Sequence, residues 1–130
     1  MSGTSTPSEL AYTKTHEWIR TEGEQATIGI TDHAQAELTD IVFVDLPAPG
    51  KEVKAGQSML VLESVKTVAD VYAPADGTVE SVNGDLKAHP EWINQEPYGR
   101  GWIVRLKLSS APPAGAFLTA EQYRASLGSP

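Results

Sequence analysis

The sequence predicts a mainly β protein, a compact barrel or sandwich of short strands with a few short helices. Three observations carry that expectation. Between Lys51 and Val82, Gly56 and Ala75-Asp76-Gly77 cut the chain into short apolar runs, the spacing of closely turned strands. Trp102 to Leu108 alternates, with Trp102, Val104, Leu106 and Leu108 on one face and Ile103, Arg105 and Lys107 on the other, as a half-buried strand does. No segment sustains a long helical period.

The elements follow in order. Residues 1–9 read as a disordered segment ahead of one domain over 10–130. Tyr12 to Arg20 mixes β-branched and aromatic residues, Glu22-Gly23-Glu24 supplies a turn, and Ala26, Ile28 and Ile30 share one face of a second strand. Thr31 is placed to cap a short helix over Asp32–Leu38. The β-branched and aromatic run from Asp40 to Pro47 reads as a strand ending at the Pro49-Gly50 turn. Asn83 to Gly101 reads as irregular, helical in its first part, with prolines that stop any long helix. Ser109 to Phe117 reads as a linker. Thr119, with Gln122 three residues on, forms a capping box that opens a C-terminal helix over about 119–127.

Composition excludes several classes. The 130 residues suit one domain and carry a formal charge of -7, which disfavours nucleic acid and anionic membranes as partners. There is no cysteine, hence no thiolate chemistry of the chain's own, and no apolar run long enough for a bilayer. The first ten residues lack the features of a signal or transit peptide, so a cytoplasmic, monomeric protein is expected. His16, His33 and His89 lack the spacing of a helix-borne metal pair, and no nucleophile elbow or phosphate loop is present, so neither a metal site nor catalysis is expected.

The informative stretch is Leu60 to Pro74. Two strand-like runs are separated by only a few residues, which makes a hairpin with Lys66 at or near its tip. Ser64-Val65-Lys66-Thr67 has no Gly or Asn, so it is no ordinary primed turn. Val65 and Thr67 flank the lysine with β-favouring side chains, and Glu63 and Asp70 bracket it with negative charge. A solvated lysine is the commonplace alternative. A lysine on a stiff projecting turn is also a sound anchorage for an acyl arm, which makes later transfers effectively intramolecular.

The segment from Glu63 to Pro74 resembles the lipoyl-attachment motif of the glycine cleavage system H-protein family. The resemblance extends in order through Tyr12–Arg20, Ala26–Pro47, Gly50–Gly56, Gly77–Asn83 and Pro97–Leu108, covering about Leu10 to Leu127. Biotin carriers differ by methionines beside the lysine, and the lipoyl domains of 2-oxoacid dehydrogenases by an aspartate before it. The resemblance implies a barrel-sandwich hybrid of the lipoyl/biotinyl-carrier kind and a non-catalytic carrier with lipoate on Lys66, recognised through Glu63, Ser64, Val65 and Thr67. It implies a lipoate-attaching enzyme and three partners: a pyridoxal-phosphate glycine decarboxylase (P protein), a folate-dependent aminomethyltransferase (T protein) and a dihydrolipoyl dehydrogenase (L protein). Thr15, Glu17, Ile30 and Asp70 look like a cleft for the loaded arm, and Glu37 stands where relatives carry a histidine. Two other readings stay open: an H-like protein that relays lipoyl groups to other enzymes, and an unmodified β-barrel binding module.

Overall fold

The computed structural model describes residues 6–109 and 116–127. Its strands are β1 (Ala11–Tyr12), β2 (Glu17–Glu22), β3 (Gln25–Ile30), β4 (Ile41–Asp45), β5 (Glu52–Val53), β6 (Ser58–Ser64), β7 (Val68–Tyr72), β8 (Gly77–Val82) and β9 (Val104–Leu108). The helices are α1 (Asp32–Leu38), α2 (Trp92–Gln95) and α3 (Ala120–Ser126), with a 3₁₀ turn at Gly84–Lys87. One antiparallel sheet runs β1-β2-β3-β9-β8-β5 and the other β4-β6-β7. The mainly β expectation is borne out. The two sheets do not close into a true barrel, which is consistent with a barrel-sandwich hybrid.

The main core draws apolar side chains from both sheets, including Ile28, Ile30, Val44, Leu62, Val71, Val79 and Leu106. A second cluster of Leu10, Tyr12, Trp18, Ala120 and Tyr123 forms where α3 packs. Between these two clusters β3 is buried on both faces, so Thr27 and Gly29 are as hidden as Ala26, Ile28 and Ile30. Gly29 lies opposite Trp18, and a Cβ there would come 2.6 Å from the indole Nε1, so only glycine leaves room for the ring.

Several local readings hold. Thr31 Oγ1 accepts from Ala34 N at 3.2 Å and starts α1 at Asp32. The capping box of Thr119 and Gln122 starts α3 at Ala120. Gly23, Gly50 and Gly56 take the positive φ that their turns need.

Two readings are corrected. Tyr12 to Arg20 is not one strand: β1 folds back onto β2 through Thr13–His16, pairing Tyr12 with Trp18. No Gly, Asn or Pro marks that turn. It closes because Thr13 Oγ1 accepts from Glu17 N at 3.1 Å and because His16 takes a positive φ of 72°. Ile103 is not on an outward face but fully buried with Leu86 and Ile93, since it precedes β9 and donates its amide to Ile28 O. Most of the expected linker, residues 110–115, and part of the expected disordered start, residues 1–5, lie outside the described residues. Residues 6 and 7 accept hydrogen bonds at their carbonyls, Thr6 from Arg124 Nη1 and Pro7 from Tyr12 Oη. Among the described residues no helix is long and apolar enough to cross a membrane.

Candidate functional site

β6 and β7 pair from Ser58↔Tyr72 to Glu63↔Val68, leaving Lys66 exposed at the far end of the hairpin. Ser64 N donates to Thr67 O at 2.8 Å, and the Ser64 hydroxyl accepts from Lys66 N at 3.3 Å and Thr67 N at 3.1 Å. Val65 N donates to Asp40 O at 3.0 Å, tying the tip to the chain ahead of β4. The stiffness therefore comes from a serine that ties down the amides two and three residues on, a known turn device. Val65 is 65% exposed and Val68 62%, so neither braces the lysine by packing. Among the described residues Lys66 forms no ion pair.

A cleft of about 140 Å³ opens beside β7. Thr15, Glu17, Ile30 and Asp70 all line it, and so does Glu37. Sequence reasoning missed His16, Ala34, Leu38, Leu62, Ala69 and Val71, which complete the walls. Ala34 and Leu38 at i, i+4 on α1 were a readable signal of an apolar helix face. His16 gave none, because its place depends on an unforeseen turn. Asp70 stands four residues along the hairpin from Lys66, roughly 13 Å at the rise of a strand.

The carboxylates differ in setting. Glu17 is only 1% exposed. Its Oε1 accepts from Thr13 Oγ1 at 2.6 Å and Thr15 Oγ1 at 2.5 Å, while Oε2 accepts from Tyr72 N at 3.2 Å. Burial pushes its pKa above the ordinary value, and these hydrogen bonds oppose the shift by favouring the charged form. Asp70 is exposed and accepts from Ser58 Oγ at 2.7 Å. Glu37 is exposed and lies 3.5 Å from His33 Nε2, one helical turn away. The cleft thus has one deeply set carboxylate, two outer ones, and apolar walls from Ile30, Leu62 and Val71. Such a chamber suits a cargo with an apolar body and a cationic end.

The two-sheet fold that carries this hairpin and cleft is shared with a solved structure. The crystal structure of a glycine cleavage system H protein from Mycobacterium marinum superposes with a TM-score of 0.86 at 38% identity, covering 94% of this chain and 98% of that one. The sequence model described as "Glycine cleavage H-protein" matches residues 10–129. The glycine cleavage system H protein of Geobacillus kaustophilus is 53% identical over 121 residues, 93% of this chain and 95% of the relative. That of Rubrobacter xylanophilus is 51% identical, over 90% of each chain. A probable H protein of Thermoplasma acidophilum is 52% identical, over 93% and 94%. The chain belongs to the glycine cleavage H-protein family.

Proposed function

We propose that this chain is the lipoyl-bearing carrier of a glycine cleavage system, non-catalytic by itself, with lipoate in amide linkage to Lys66. The observation that carries the proposal is the pairing of that lysine, exposed on a hydrogen-bonded tip, with a cleft within reach of an extended arm. The residues fit the group: Ile30, Leu62 and Val71 suit an apolar dithiolane ring, and Glu17 suits an ammonium at its end. Glu63, Ser64, Val65 and Thr67 flank, in sequence, the lysine that a lipoate-attaching enzyme must reach.

When attached, the dithiolane supplies a disulfide that accepts an aminomethyl group and is later restored by thiol–disulfide exchange. The tip would present the arm in turn to a P protein that supplies that group from glycine, a T protein that takes it and an L protein whose flavin takes up the two electrons of the dithiol, each docking on the same cytoplasmic carrier. This chain's own residues hold the cargo between visits. Glu17, fixed by two hydroxyls and an amide, presents a charge-assisted acceptor without reorganising. Thr15 fixes Glu17 Oε1, Ile30 excludes water, and Asp70 with Glu37 keeps the mouth negative. Relay of lipoyl groups to other enzymes would need the tip and not the cleft, so the cleft favours glycine cleavage.

Reconstitution tests the reading. The lipoylated chain, incubated with P protein, T protein, L protein, tetrahydrofolate, NAD+ and glycine, is expected to support glycine-dependent release of ammonia, and Lys66→Arg is expected to support none. Release at the wild-type rate from Lys66→Arg would overturn it.

A further inference from the structure

The far side of the cleft holds a hydrogen-bonded chain that the carrier reading does not use. Tyr123 of α3 is fully buried, and its hydroxyl lies 2.7 Å from His16 Nδ1 and 2.7 Å from Thr31 Oγ1. One partner lines the cleft and the other caps a helix that does. His16 lines it directly, next to Thr15 and Glu17. Thr31 is the N-cap of α1, whose Ala34, Glu37 and Leu38 form the opposite wall. His16 O also accepts from Thr31 N at 3.0 Å. The tyrosine is held by its ring, stacked on Tyr12 at 4.9 Å.

The donors and acceptors fix a direction. Thr31 Oγ1 accepts from Ala34 N, and among the described residues its own hydrogen has one acceptor in range, Tyr123 Oη. Tyr123 then turns its hydrogen toward His16 Nδ1, which must be an acceptor, so the ring is neutral with its proton on Nε2. A protonated His16 would donate from Nδ1, turn Tyr123 back toward Thr31, and strand a buried hydroxyl hydrogen.

We propose that Tyr123 is a positioning residue for the arm cleft, clasping the Thr13–His16 turn to the cap of α1 as long as His16 is neutral. The C-terminal helix thereby sets how tightly the cleft closes, and acidification loosens it. The groups facing His16 are Glu17 on β2, His33 and Glu37 on α1, Tyr123 on α3, and Asp70 on β7 across the cleft. Burial first, and then His33 with its ring 5.0 Å away, hold the His16 pKa below its ordinary value, while Glu37 opposes them. Protonation would also set a cation at the rim of a chamber built for a cationic cargo. The clasp rests on the reading of the cleft as the resting place of the arm, but its first test needs no arm.

Tyr123→Phe removes the hydroxyl and keeps the stacked ring. Tyr12→Phe is the matched control: it removes the other hydroxyl of the same stack, which bonds Pro7 O and touches no cleft residue. In the unmodified chain, the His16 ring is titrated by NMR in wild type and both variants. The expected result is a His16 pKa that rises in Tyr123→Phe, because the neutral form loses its donor, and stays put in Tyr12→Phe. A fall, no change, or equal shifts in both variants would overturn the clasp. In the lipoylated chain, the rate of disulfide reduction by a water-soluble phosphine, relative to free lipoamide at the same pH, reads exposure of the arm. It is expected to rise about fivefold in Tyr123→Phe at neutral pH, the factor that one lost hydrogen bond corresponds to. It should not rise in Tyr12→Phe. Equal rates in wild type and Tyr123→Phe would overturn control of the cleft by the helix. If mass analysis found no lipoyl on Lys66, the carrier reading would fail while the His16 titration still decided the clasp.

Discussion

The hairpin that carries the tip also supplies one wall of the cleft, yet tip and cleft are held by opposite means. At the tip the side-chain bonds are local: the Ser64 hydroxyl meets the amides two and three residues on. At the cleft they are distant: Glu17 meets Tyr72 across 55 residues, Thr31 meets Tyr123 across 92, and His16 meets Tyr123 across 107. The tip is exposed and the cleft's anchoring groups are buried. A modification site that an enzyme must reach can be built from one turn. A chamber that excludes water needs the assembled fold.

This contrast predicts that changes behind the cleft are costly to the fold and changes at the tip are not. Trp18→Ala, which empties the cluster behind Tyr12 and Tyr123, should cost about 3–5 kcal/mol in urea unfolding while leaving the hairpin sequence untouched. Glu17→Gln keeps an acceptor for Thr13 and Thr15 but sets an NH₂ against the Tyr72 amide. It should cost about 1–3 kcal/mol and, in the aminomethyl-loaded protein without T protein, speed decay about tenfold to a hundredfold. Asp70→Asn should leave the fold unchanged within about 0.5 kcal/mol, because the side chain is solvated. Unchanged decay in both variants would mean that the cleft works by water exclusion alone. Ser64→Ala should cost about 1 kcal/mol and slow lipoylation by leaving the tip looser.

The effect of pH is smaller and has a defined sign. The His16 pKa is lowered in the folded chain, so the unfolded chain binds the proton more tightly, and stability is lost as pH falls below about 6.5. The Glu17 pKa is raised, so its protonation acts the other way, favouring the folded state at more acid pH. Asn tolerates the positive φ of residue 16 but does not titrate. Urea unfolding at pH 7.5 and 6 should therefore show a smaller drop in His16→Asn than in wild type.

The same contrast explains what could be read from the sequence. Helix starts at Thr31 and Thr119, the glycine turns and the lysine hairpin were legible, because each is decided by residues a few positions apart. Resemblance supplied Thr15, Glu17, Ile30 and Asp70, all of which line one cleft. The return of β1 onto β2 was not legible, since Thr13 and a left-handed His16 make that turn without glycine, asparagine or proline. His16 and Tyr123 were missed for the same reason. Their meeting depends on α3 docking against a turn that no local pattern announces.

Lys66→Arg is the mildest change to the fold and the most complete loss of function expected. It keeps the charge on an exposed tip, so stability should stay within about 0.5 kcal/mol, and removes the amine proposed to be acylated. The most direct measurement is a peptide map with intact mass of the chain produced alongside a lipoate-attaching enzyme. One lipoyl group on Lys66 in the wild type, and none anywhere in Lys66→Arg, is the predicted result. Lipoyl on Lys51, Lys54 or Lys87, or a wild-type chain that stays unmodified, would contradict it.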